Sequence, residues 1–181
     1  SQIGLSCNDG DPLNINDQID SDCECRSAPV GCNHTIELNA GWNIISSYCI
    51  SDTPDLIDVF SNISSDIIQV KDLNAAYVPA FGFNPIGNWD NSQGYMVLAA
   101  NNTTLDIIGS TDVDPLVDQI QLNNGWNIIA YWLKDGVADP IDVFADNSPN
   151  VIQVKNLIGA YTPAFGINGM GNMEIGQGYQ V

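Results

Sequence analysis

Hard oxygen donors crowd the N-terminal segment: Asp9, Asp11, Asn14, Asn16 and Asp17, followed by Asp20 and Asp22. Calcium binds about six to eight such oxygens, so this density predicts a calcium site on Asp9, Asp11, Asn14, Asn16 and Asp17. An EF-hand is excluded, because its alternating Asp/Asn pattern running into Gly and a closing Glu is missing. The same residue types also build solvated Asx turns, the plainer reading of the segment. Other chemistry fares worse. Asp55 with Asp58, and Asp139 with Asp142, would suit a carboxylate pair for glycoside hydrolysis. Each pair falls at the start of an expected helix, however, where acidic groups meet the positive end of the dipole. His34 is the only histidine, so any Ser-His-Asp or Cys-His scheme would have to use that one ring. Glycine-rich phosphate loops and HExxH are absent. No catalytic constellation stands out, and the chain is expected not to be an enzyme.

The cysteines are Cys7, Cys23, Cys25, Cys32 and Cys49. The first four lie in a stretch too polar to form a core, where disulfides are expected, and this points to an oxidising, extracellular compartment. Two bridges among Cys7, Cys23, Cys25 and Cys32 are expected, with connectivity open. A zinc knuckle is the rival, but the Cys-x-Cys at 23 and 25 lacks a second close pair. Lys and Arg total 4 against 22 acidic residues, a net charge of -18. Phosphate backbones and anionic headgroups are repelled by such a surface, so neither nucleic acid nor membrane is expected as a partner. No apolar run reaches the about eighteen residues that a membrane helix needs. The opening "SQIGLSCNDG" has neither a charged n-region nor an apolar h-region, so an export signal is expected to have been removed or to lie outside these residues. Sequons at Asn33, Asn62, Asn101 and Asn102 mean glycosylation only in a eukaryotic secretory pathway.

The elements that must position these groups come twice. Laying Ile36 on Ile120 aligns residues 36–97 with 120–181 without an insertion, and about half of the positions are identical. Trp42 falls on Trp126, Phe60 on Phe144, Lys71 on Lys155, Tyr77 on Tyr161, and Gly94-Tyr95 on Gly178-Tyr179. Cys49 falls on Leu133, which predicts a buried apolar thiol, with a Cys32–Cys49 bridge as the alternative. In each copy a β-branched, alternating stretch such as "HTIELNAGWNIISSYCI" predicts two strands meeting at Asn-Ala-Gly. A short helix follows, with Thr53 as cap and Pro54 at its first position; in the second copy Asp139 caps and Pro140 comes next. "DIIQVKD", "AAYVPAFGF", "QGYMVLAA" and "TTLDIIG" read as further strands. The expected architecture is mostly β: two tandem small β-sandwich or barrel-like modules, at 36–110 and 120–181, each with one short helix, after a disulfide-rich loop segment at 1–35.

Trp42 and Trp126 lie in the most apolar stretch of each copy and are expected to be core anchors, with Gly41 and Gly125 giving backbone freedom beside them. A sugar-stacking platform is the rival use. Trp89 and Trp132 align with Met173 and Tyr48 and sit near polar, turn-like sequence. They are expected to be exposed and, with Tyr48, Tyr77 and Tyr161, to form a ligand-binding strip. Lys71 and Lys155 are expected to pair with a carboxylate such as Asp58 or Asp142. The second copy reaches Val181 without a counterpart of "LAANNTTLDIIGS". A longer natural polypeptide is expected; an open edge near Val181 that invites self-association is the alternative.

The pattern Leu-x-x-Gly-Trp-Asn-Ile-Ile, then Tyr-x-Pro, Gly-Tyr-x-Val and Leu-x-Ile-x-Gly, resembles a repeat β-domain of large secreted bacterial proteins, especially those that Bacteroidetes export by type IX secretion. Residues 36–109 and 120–181 carry it, the second copy without the final Leu-x-Ile-x-Gly. "CNDGDPLNINDQIDSDCEC" is similar to the Cys- and Asp-rich spacers of such proteins. The resemblance implies a secreted or cell-surface location and no catalytic residues. Together with the composition it predicts a non-catalytic extracellular accessory module that binds a glycan or cell-surface ligand within a larger secreted protein. A structural spacer or self-assembling element, completed by strand pairing with a neighbouring chain, is the alternative.

Overall fold

The computed structural model describes residues 3–7, 17–19, 22–27, 30–111, 119–132 and 137–181. They divide into two compact units, Ser1–Gly31 and Cys32–Val181. In the first, β1 (Asp17–Ile19) pairs antiparallel with β2 (Cys25–Ser27), and the Cys7–Cys25 disulfide ties the segment before β1 to β2. A cross-link supplies here what a polar segment cannot obtain from a core.

The second unit is mostly β. Its strands are β3 (Val30–Leu38), β4 (Gly41–Ile45), β5 (Ile50–Ser51), β6 (Ile67–Lys71), β7 (Ala76–Tyr77), β8 (Tyr95–Ala99) and β9 (Thr103–Thr111) in the first repeat. In the second they are β10 (Ile128–Ile129), β11 (Val154–Lys155), β12 (Ala160–Thr162), β13 (Ile167–Asn168) and β14 (Tyr179–Gln180). The helices α1 (Leu56–Val59) and α2 (Pro140–Val143) occupy equivalent places. Asp55 and Asp139 cap them, each carboxylate accepting from the backbone N–H two residues on. Asp139 and Pro140 thus stand as expected, whereas in the first copy Asp55 takes the role expected of Thr53. No helix among the described residues is long and apolar enough to cross a membrane.

The first repeat is a sandwich. Sheet β4-β8-β6-β7 faces sheet β3-β9-β5, and Ile45, Tyr95, Val97 and Val70 from one meet Ile36, Leu38, Leu105 and Ile107 from the other, closed by Leu56 of α1 and by Phe60, which caps its C-terminal end. Strict alternation along β3, with Cys32, His34, Ile36 and Leu38 buried and the residues between them exposed, specifies its face. The second repeat rebuilds the first sheet as β10-β14-β11-β12-β13, in the same order, over a core that includes Phe144, Val154, Tyr161, Met173 and Tyr179.

Cys32 on β3 bridges Cys49, and Cys23 is free and exposed. The expectation of two bridges confined to Cys7, Cys23, Cys25 and Cys32 is therefore corrected, and so is that of an unbridged Cys49. The alignment with Leu133 gave the burial of Cys49 correctly, since it is fully buried. It could not show that β3 runs alongside; at the positions aligned with Cys32 and Cys49 the second copy has Leu116 and Leu133.

The two repeats join through reciprocal contacts. Gly178 N–H donates to Ile44 C=O at 3.0 Å and Gly94 N–H to Ile128 C=O at 3.0 Å; Ser46 N–H donates to Gly176 C=O and Ala130 N–H to Ser92 C=O. Single bridges between Ile45 and Gln177, and between Gln93 and Ile129, complete the set. Residue i of one copy meets residue j of the other and j meets i, the signature of an isologous interface. A pseudo-twofold axis thus runs beside Gly94 and Gly178, and Ile44 and Ile128 are buried against it.

Candidate functional site

The Gly-Trp-Asn motif is a clamped turn. Asn43 accepts at Oδ1 from Asn39 N–H at 3.0 Å and donates through Nδ2 to Asn39 C=O at 2.8 Å and to Gly41 C=O at 3.1 Å. Asn127 does the same for Asn123 and Gly125. Gly41 and Gly125 have φ of 101° and 96°, which an L side chain rarely adopts. With Asn43 turned inward, its neighbour Trp42 must point outward. Trp42 and Trp126 are 39% and 52% exposed, which corrects the expectation of core anchors. Lys71 Nζ lies 4.9 Å from the Trp42 ring centre and Lys155 Nζ 4.3 Å from that of Trp126, so the repeated lysine covers an indole through a cation–π contact, where a carboxylate partner was expected.

The five aromatics expected to form a strip are not brought together. Trp89 is 6% exposed, stacked 4.5 Å from Tyr95 and near Phe60. Tyr77 is buried in the first core and Tyr161 in the second. Tyr48 is half-buried over His34, and Trp132, also half-buried, donates its indole N–H to Asn91 C=O. The expected exposure of Trp89 fails because the turn-like sequence around it folds back on the entry to α1: Trp89 N–H donates to Pro54 C=O, and Leu56 N–H to Gly87 C=O.

Other large apolar groups do stand out, and they do so in pairs. Phe81 is 82% exposed and its counterpart Phe165 76%; Phe83 and Ile167, and Ile68 and Ile152, are exposed likewise. Each phenylalanine ends a short 3-10 turn, Pro79–Phe81 or Pro163–Phe165, closed by Gly82 or Gly166 in the left-handed region. Read as strands, these stretches hid the feature; the Phe-Gly step repeated in both copies was the available signal.

Asp55, Asp139 and His34 are each engaged in hydrogen bonds within the fold. Asp55 Oδ1 accepts from Ile57 N–H at 2.8 Å and from the Asn84 amide at 3.0 Å, and Asp139 Oδ1 from Ile141 N–H and the Asn168 amide. His34 is buried with Nδ1 2.9 Å from Ser47 Oγ, and burial holds its pKa below the usual imidazole value. Of the expected calcium ligands, Asp9, Asp11, Asn14 and Asn16 lie outside the described residues, and Asp17 is described only as backbone of β1. Among the described residues no three His, Cys, Asp or Glu are grouped to hold a metal. Comparison with family models, with curated proteins and with solved structures returns no match.

Proposed function

We propose that the chain is a non-catalytic extracellular accessory module that binds a carbohydrate or another surface ligand twice over, once per repeat. The observation that carries this reading is the paired exposure of Phe81 and Phe165, of Phe83 and Ile167, and of Trp42 and Trp126. A soluble fold gains nothing by holding the same large apolar groups in water in both copies, and such groups mark contact surfaces. The pseudo-twofold makes the two sites equivalent, so a repetitive ligand engages both and gains avidity without new contacts. Net charge of -18 favours neutral or cationic ligands over sulfated ones. Two disulfides fit an oxidising compartment.

A glycan array, followed by titration of any hit, tests the reading. Phe81→Ser or Phe165→Ser alone should weaken binding about tenfold or more through lost avidity, and the double variant should abolish it while the melting temperature stays put. Absence of any array hit, or a double variant that binds like the parent, overturns it.

A further inference from the structure

The sole histidine of the chain, His34 on β3, lies at the seam between the two repeats. Its ring is 7% exposed and stacks 4.6 Å from Tyr48, with Nδ1 2.9 Å from the buried Ser47 Oγ, which also accepts from Cys49 N–H at 3.0 Å. The far edge of the ring meets the second repeat: a Cβ on Gly176 would stand 3.4 Å from Nε2 and 3.7 Å from Cε1. That glycine opens the turn 176–178, which the first repeat grips. Ser46 donates its N–H to Gly176 C=O at 3.0 Å and its hydroxyl to Gln177 C=O at 2.6 Å, and Ile44 C=O accepts from Gly178 N–H. On the elements packed around the ring no carboxylate faces it. Glu37 of β3 and Asp106 of β9, which accepts from Thr35, are exposed on the opposite face. Glu174, leading into the turn, is exposed and accepts from the Gln177 amide. Tyr48 and Tyr131 bring neutral phenols, and Cys32 and Cys49 are bonded to each other. Burial is the cause that holds the imidazole below its ordinary pKa of 6.5.

We infer that His34 is a proton-operated latch: its protonation frees the turn 176–178 from the first repeat, so that the seam between the repeats opens in mildly acidic medium. A buried imidazolium without a counter-ion is costly and must reach water. Of the walls around the ring, the turn is the one that can withdraw. Ser47 and Tyr48 lie on a segment that the Cys32–Cys49 bond ties to β3 beside His34, whereas the turn is held to the first repeat by noncovalent contacts alone. With the folded-state pKa lowered, the neutral ring's contribution is complete above 6.5 and is lost as pH falls from there through the folded value. The latch is one-sided. Across the pseudo-twofold, Ala130 N–H donates to Ser92 C=O and Gly94 N–H to Ile128 C=O. There Tyr131 and Trp132 stand in place of Ser47 and Tyr48, and the residue aligned with His34 is Asp118, outside the described residues, so no imidazole titrates on that side. The latch is independent of the surface-binding reading above.

The test follows the 181-residue chain from about pH 8 to about pH 5. NMR reads the imidazole Cε1–H, a single signal because there is a single histidine. Amide hydrogen exchange, corrected for its intrinsic pH dependence, reads the seam. The ring is expected to titrate below 6.5. Over the same range the opening of the Ser46 and Gly178 amides should rise by up to about tenfold per pH unit, the response to one proton, while Gly94 and Ala130 keep their protection. His34→Gln keeps a polar group beside Ser47 but takes no proton, so it should hold all of these amides protected across the range. Where that variant does not fold, the ring and seam titrations of the parent decide. A seam that stays protected down to about pH 5, one that opens equally in His34→Gln, or equal loss of protection on both sides of the pseudo-twofold, as in general acid unfolding, overturns the latch.

Discussion

At the scale of single residues, the tryptophans show how parity decides what hydropathy cannot. Trp42 sits in an apolar stretch yet faces water, because Asn43 beside it must turn inward to clamp its turn. Trp89 sits in a polar stretch yet is buried, because the loop carrying it is pinned to the entry of α1. The alignment held the clue: its counterpart Met173 is 1% exposed, so the fold treats this position as core in both copies. The Trp89 indole N–H is buried without a partner among the described residues, and such a group costs stability. Trp89→Met, which installs the second copy's residue and removes the orphaned donor, should therefore cost clearly less than Trp89→Ala. Trp89→Ala leaves a cavity and should cost about 3–5 kcal/mol. Urea unfolding of the two variants distinguishes these outcomes; equal losses would show that the indole itself is required.

At the scale of elements, the strands after each turn were legible from alternation and β-branched content, and β3, β4, β6, β8 and β9 lie where the pattern put them. What stayed hidden was how the turns are fixed, because that depends on contacts made by side chains whose sequence neighbours look ordinary. The Gly-Tyr step is the clearest case. Tyr95 Oη accepts from Asp90 N–H at 2.8 Å and Tyr179 Oη from Glu174 N–H at 2.7 Å, so each ring plugs its core while its hydroxyl holds the turn that leads into the strand. Burial, above all, pushes both phenols up to about 12 from an ordinary 10; the nearby Asp90 and Glu174 carboxylates add to it, and the backbone hydrogen bonds, which lower the pKa, do not offset it. A raised folded-state pKa means that the neutral phenol stabilises the fold fully below pH 10 and that this contribution is lost as pH climbs through 12. The melting temperature should fall across that window. The double variant Tyr95→Phe, Tyr179→Phe should start lower and fall less steeply, with Tyr77 and Tyr131, also raised by burial, supplying the remainder. An unchanged slope in the double variant would show that these two phenols do not set the alkaline limit.

At the scale of the whole second unit, duplication accomplishes more than doubling a module. Each repeat presents a carbonyl, on Ile44 of β4 or Ile128 of β10, that receives the N–H of the other repeat's glycine, so the copies pair as a homodimer would, within one chain. The alignment revealed that the copies share a shape, but not that they share an interface, since the contacts run between residues far apart in sequence. Glycine at the axis is a steric requirement here. A Cβ on Gly94 would lie 2.8 Å from Ile129 C=O and 2.8 Å from Ile128 Cγ2, and one on Gly178 would lie 2.8 Å from Ile45 C=O and 3.0 Å from Ile44 Cγ2. Because backbone atoms make up half of each clash, side-chain rotation cannot relieve it. Gly94→Ala and Gly178→Ala should each cost about 1–3 kcal/mol, and by nearly equal amounts, which an unrelated pair of buried glycines would not show. Both substitutions open the same contact, so the double variant should lose clearly less than the sum of the two. Denaturant midpoints for the four proteins close the cycle: additive losses, or a Gly94→Ala protein that unfolds at the parent's midpoint, would mean that the repeats are not held together at these glycines.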